Sequence, residues 1–135
     1  MGIPRIKPLP MAVQKMCIQE RFPQFKYSGM QNAWIGKLKP SAISIEYLVK
    51  VSYRLYGIPQ VFVLAPKLHP NAPHIYRDSG ALCLYYPEDG SWNNQKLLGN
   101  TIFLWTAEWL YYYELWLATG QWFGLEAPHD ANKKE

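Results

Sequence analysis

Cysteine is scarce in this chain. Cys17 and Cys83 are the only two in 135 residues, which removes the disulfide-stapled secreted scaffold and makes the reducing cytoplasm the expected compartment. Long hydrophobic runs are also missing. The most apolar stretch, Ile102 to Leu117, carries Glu108 and Glu114 and is too short for a membrane span. Met1 to Lys7 has no apolar signal core, and Ile6 stands where a myristoylation signal wants Ser or Thr. A soluble protein without a membrane partner is expected. There is no glycine-rich phosphate loop, so the chain is not expected to activate a carboxylate with ATP by itself. His69, His74 and Cys83 lie close in sequence, but no Cys-x-x-Cys completes a zinc site and the deaminase signature is absent; neither metal nor other cofactor is expected.

What remains is 49% hydrophobic and 18% charged, the balance of one ordinary folded domain that hides roughly two-thirds of its unfolded surface. Internal repeats are absent. The expected division is a flexible Pro-rich segment over 1–10, a single domain over 11–128 and a polar tail over 129–135. Charge is uneven, with ten Lys/Arg against two acids in residues 1–67 and four against eight in residues 68–135. The basic residues are scattered singly and accompany no nucleic-acid motif, so an acidic protein partner is expected in preference to nucleic acid.

Hydrophobic periodicity predicts the elements. Val13, Met16, Cys17, Ile18 and Phe22 fall at helical intervals between Pro10 and Pro23, which predicts an amphipathic helix with Cys17 as an inert thiol on its buried stripe. Ile43, Ile45, Tyr47, Val49, Val51 and Tyr53 alternate with polar residues as a half-buried strand does. A weaker strand over Asn32–Leu38 precedes it and an apolar run over Gln60–Ala65 follows, and short connections make the three an antiparallel meander. From Pro66 to Ser91 a long irregular stretch surrounds the apolar island Ala81–Tyr85. Thr101 is positioned to cap a last helix that Thr119-Gly120 closes, with Trp105, Trp109, Tyr112 and Trp116 on one stripe expected to face the core. The expected fold class is therefore α+β.

Cys83 is the candidate nucleophile, because it lies in a polar stretch where a thiol is expected to be partly exposed and to react before Cys17. His74 and Arg77 are placed to raise its thiolate fraction, and Asp78, Glu88 and Asp89 to lower it or to take a proton from an amine. Asn71 and His74 are the candidates for donating a hydrogen bond to a developing oxyanion. The plain alternatives are that Cys83 is a small apolar residue between Leu82 and Leu84, and that His74 staples its loop.

Helix, meander, cysteine-bearing loop and helix, in that order, resemble the ubiquitin-conjugating enzyme fold. The literal His69-Pro70-Asn71 and the later Gly80-Ala81-Leu82-Cys83-Leu84 are similar to that family's motifs, although the fourteen positions from His69 to Cys83 exceed the family's usual interval. An alternative alignment uses His74, nine positions before Cys83. In that form His74-Ile75-Tyr76, Leu82-Cys83-Leu84-Tyr85, Trp105, Glu108-Trp109-Leu110, Tyr113-Glu114, Trp116, Thr119-Gly120 and Trp122 resemble the stand-alone ubiquitin-conjugating-like proteins of antiphage CBASS operons. The resemblance implies a cysteine-dependent acyl transferase. Its partner would be a cGAS-like nucleotidyltransferase, held by its C-terminus as a thioester on Cys83 and primed or conjugated. The other reading is an idle scaffold that grips a partner's tail.

Overall fold

The computed structural model describes residues 6–124. Within them an N-terminal helix, a four-stranded antiparallel sheet and a C-terminal helix follow in that order. Helix α1, Met11–Arg21, starts behind Pro10 and ends at Phe22, whose N–H donates to the Ile18 carbonyl. Its buried stripe is not the expected one. Ile18 is buried and Cys17 and Phe22 half-buried, but Val13 and Met16 are exposed, and the polar Gln14 takes the core position instead. The reason is a backbone partner: Gln14 donates to the Lys96 carbonyl at 3.1 Å and accepts the Leu98 N–H at 2.9 Å, clamping α1 to the 3-10 turn Leu98–Asn100. Cys17 packs close beside this turn, since a side-chain carbon on Gly99 would come within 2.9 Å of its sulfur.

The sheet contains β1 (Lys26–Ser28), β2 (Ala33–Leu38), β3 (Tyr47–Ser52) and β4 (Gln60–Ala65), in sequential order and all antiparallel. The meander is as expected, with β1 added at its outer edge. Lys26-Tyr27-Ser28 is too short to display a period. The long alternating strand is cut back, because Ile43 is 96% and Ile45 57% exposed while burial begins only at Tyr47. In place of a strand, a Ser41–Ser44 turn is fastened to the last helix: the Ser44 hydroxyl donates to Glu114 at 2.7 Å, as does the Tyr47 hydroxyl at 2.8 Å.

From β3 inward the period of two holds. Tyr47, Val49, Val51 and Tyr53 are buried, and Trp34 pairs with Val51, which pairs with Val61. Against this face lies α2, Ile102–Thr119, through Ile102, Phe103, Thr106, Trp109, Leu110 and Tyr113. Phe103 sits between Phe25, Phe22 and Trp34 at ring separations of 5.0, 5.2 and 6.3 Å. The Trp stripe is accordingly rotated from its expected position: Trp109 is in the core, whereas Trp105, Tyr112 and Trp116 are only half-buried along its flank. Thr101 stands at the N-cap, yet its hydroxyl donates backward to the Leu97 carbonyl at 2.8 Å and caps nothing. Gly120 closes the helix as expected, in the left-handed conformation with its N–H on the Trp116 carbonyl.

Of the N-terminal segment, Leu9 donates its N–H to the Asn94 carbonyl at 2.8 Å and the Lys7 carbonyl accepts from Gln95 at 3.0 Å. The polar tail over 129–135 lies outside the described residues. Among the described residues no helix is long and apolar enough to cross a membrane.

Candidate functional site

The stretch between β4 and α2 folds on itself around a small hairpin. Ile75 and Leu82 bridge antiparallel, the Tyr76 N–H donates to the Ala81 carbonyl at 2.9 Å, and the Cys83 N–H donates to the His74 carbonyl at 2.8 Å. Arg77 to Gly80 make the turn, where Gly80 takes φ +84° and gives its N–H to the Tyr76 carbonyl. The hairpin is anchored to the sheet by the Leu82 N–H on the Val61 carbonyl at 2.8 Å. Cys83 and His74 thereby face each other across the hairpin, joined by that backbone hydrogen bond.

Of the two candidate histidines, His74 is the one whose backbone pairs with Cys83. His69 is held farther along α2: its N–H donates to the Tyr113 hydroxyl at 2.8 Å and its ring meets Trp116 at 5.3 Å. Asn71 lies exposed in the turn that follows His69, and its N–H donates to the His69 ring at 3.0 Å. Arg77 ties that turn to the hairpin, with its guanidinium on the carbonyls of Pro70 and Ala72. It acts as a clamp on backbone oxygens.

Cys83 departs from expectation in its burial. It retains 8% of its exposure and is more buried than Cys17, because Ala81, Leu82 and Cys83 form the apolar island that fills the space under α2. Two of the acids expected near it have other partners: Asp89 accepts the Ser91 N–H at 2.8 Å, and the adjacent Ser91 side chain and N–H hold its carboxyl below the usual range. A hydrogen bond to Glu88 is the main cause that raises the Tyr86 hydroxyl above its usual range. Among the described residues no group of three or more His, Cys, Asp or Glu is arranged to hold a metal ion.

The aromatic flank of α2 covers this loop. The Trp109 indole N–H donates to the His74 carbonyl at 3.2 Å, Trp105 packs on Tyr85 at 5.8 Å, and Trp122, past the end of the helix, lies 4.8 Å from the His74 ring. On the opposite side of the hairpin, Leu82 and Leu84 line a cleft of about 540 Å³ that opens between the start of β4 and Pro87. Trp122 and Tyr113 were not singled out from sequence as partners of histidines. The signal available was weak: both belong to an aromatic-rich end of the chain in which any ring reads equally as core.

A family model described as type II CBASS E2 protein matches residues 14–130. The chain belongs to that family. The match runs from within α1 through the sheet, the Cys83 hairpin and α2, so the type II CBASS E2 assignment includes every candidate residue above. Membership implies a role in antiphage CBASS defence, alongside the other proteins of such a system. No curated protein matches the chain.

Proposed function

We propose that this domain is a ubiquitin-conjugating-like acyl transferase whose nucleophile is Cys83. Its substrate is the C-terminus of a partner protein, a cGAS-like nucleotidyltransferase of the same defence system. The observation that carries the reading is the backbone pairing of His74 with Cys83 inside the family-matched region. The helix, meander and helix order supports the ubiquitin-conjugating-like fold, and a soluble, cytoplasmic domain over 11–128 goes with it.

In the first step the Cys83 thiolate attacks an activated acyl carbon, in an acyl phosphate or another thioester. The carbon–sulfur bond to Cys83 forms, the leaving group departs with the electrons of its bond, and the thiol proton passes to solvent. In the second step an acceptor amine attacks the thioester, the carbon–sulfur bond breaks, sulfur leaves as thiolate and the amine gives up its proton. Each step builds a negative oxygen. The His74 imidazole and the Asn71 amide are the donors proposed for that oxygen.

A second reading has one observation in its favour. Cys83 keeps only 8% exposure, as an idle cysteine in a tail-binding scaffold would. Peptide mapping of the protein expressed from its intact operon in the native host, where the acyl donor is activated, separates the two. The enzyme reading expects a Cys83 peptide joined to the partner's last residue with loss of one water and released by thiol; a stable complex with unmodified Cys83 would favour the scaffold.

A further inference from the structure

We propose that Trp122 is a positioning residue that fixes the His74 imidazole for discharge of the Cys83 thioester. The inference rests on the reading of Cys83 as nucleophile and His74 as oxyanion donor. His74 holds a left-handed backbone, φ +59°, which residues with a side chain adopt uncommonly. Two bonds to its carbonyl hold it here, one from the Trp109 indole at 3.2 Å and one from the Cys83 N–H at 2.8 Å. The backbone is thus held from both sides, and rotation about the two side-chain bonds sets where the imidazole points.

Trp122 restrains that rotation. Its ring lies 4.8 Å from the imidazole at an interplanar angle of 50°. It is itself backed by Trp109 at 5.5 Å and Tyr112 at 6.0 Å, rings one helical turn apart on α2. The chain returns over the helix because Gly120 reverses it and the Gln121 N–H bonds the Thr119 hydroxyl at 3.1 Å. Gly124 completes the enclosure, since a side-chain carbon there would fall 2.7 Å from the Tyr112 ring and 3.0 Å from the Trp122 indole nitrogen. A wall this well supported holds one imidazole orientation, and orientation is what an oxyanion donor requires.

The test isolates discharge. A short glycyl-peptide thioester loads Cys83 by exchange, in which the new carbon–sulfur bond forms, the donor's breaks and the donor thiolate leaves. Hydroxylamine then takes the acyl group as a hydroxamate in a single turnover, returning the Cys83 thiolate and a proton. Trp122→Ala and Trp122→Leu are expected to load fully and discharge about 10-fold or more slowly, and Trp122→Phe, which keeps a flat ring, to recover most of the rate. In a His74→Ala background, itself slowed on the order of 100-fold, Trp122→Leu is expected to cost nothing further. That non-additivity separates positioning from general destabilisation, which would slow both backgrounds alike. Wild-type discharge rate in Trp122→Leu, or equal slowing in both backgrounds, would overturn the inference. Failure of the wild type to load, equal loading of Cys83→Ala, or full discharge by His74→Ala would instead overturn the reading on which it rests.

Discussion

Replacing Trp109 with Ala removes a side chain that is 4% exposed, stacks on Tyr113 at 5.4 Å, packs tilted on Trp122 at 5.5 Å and donates its indole N–H to the His74 carbonyl at 3.2 Å. Truncating a buried ring of this size costs about 3–5 kcal/mol. In a domain of this length each kcal/mol lowers the melting midpoint by roughly 3–5 °C, so a fall of about 10–20 °C is expected by calorimetry. Trp109→Phe keeps the stacking and gives up the N–H donor. The His74 carbonyl still accepts the Cys83 N–H, so no buried acceptor is stranded, and the loss is about 1–2 kcal/mol from the hydrogen bond and the smaller ring. The ordering Ala below Phe below wild type follows from burial. A Trp109→Ala variant with an unchanged midpoint and lost partner binding would refute it and make this ring a docking contact.

Gln14→Ala is expected to lower stability by about 1–3 kcal/mol in denaturant titration, because it strands the buried Leu98 N–H; Val13→Ala, on the exposed side of α1, is the control expected within about 0.5 kcal/mol. Burial and then the Glu114 hydrogen bond push the Tyr47 hydroxyl well above its usual range, and burial pushes Tyr85 up to about 12. The folded chain therefore keeps protons that the unfolded chain releases near pH 10; stability is fully present below pH 10 and is lost as pH rises through about 12, with a shallower slope in Tyr85→Phe. A mild alkylating reagent is expected to modify Cys17 before Cys83 in the free protein, since Cys83 is the more buried of the two, and mass mapping with the reverse order would contradict that access argument.

Local patterns carried most of the fold. Tyr47 to Tyr53 alternate because one sheet face is buried, and Pro10, Pro23 and Gly120 punctuate helices in ways that need no distant partner. Local pattern fails where a distant partner decides. Gln14 is buried because Leu98, far along the chain, has an N–H to satisfy, and Ile43 and Ile45 leave the strand because Ser44 binds Glu114. The site behaves likewise: Cys83 and His74 could be chosen by residue type, but their pairing depends on a hairpin whose turn, Arg77 to Gly80, contains no hydrophobic period. The rotation of the Trp stripe has the same origin. An almost wholly apolar helix gives periodicity little contrast, so only the sheet and the Cys83 loop decide which rings face inward.

The most direct test of the Cys83 thioester is a denaturing gel of the chain expressed from its intact operon in the native host, cGAS-like nucleotidyltransferase included, run with and without thiol for each variant. Wild type is expected to yield an adduct that excess thiol removes. Cys83→Ser is expected to yield one that resists thiol, because an ester replaces the thioester, and Cys83→Ala none. An adduct that survives in Cys83→Ala, or full activation of the nucleotidyltransferase by that variant, would contradict the account.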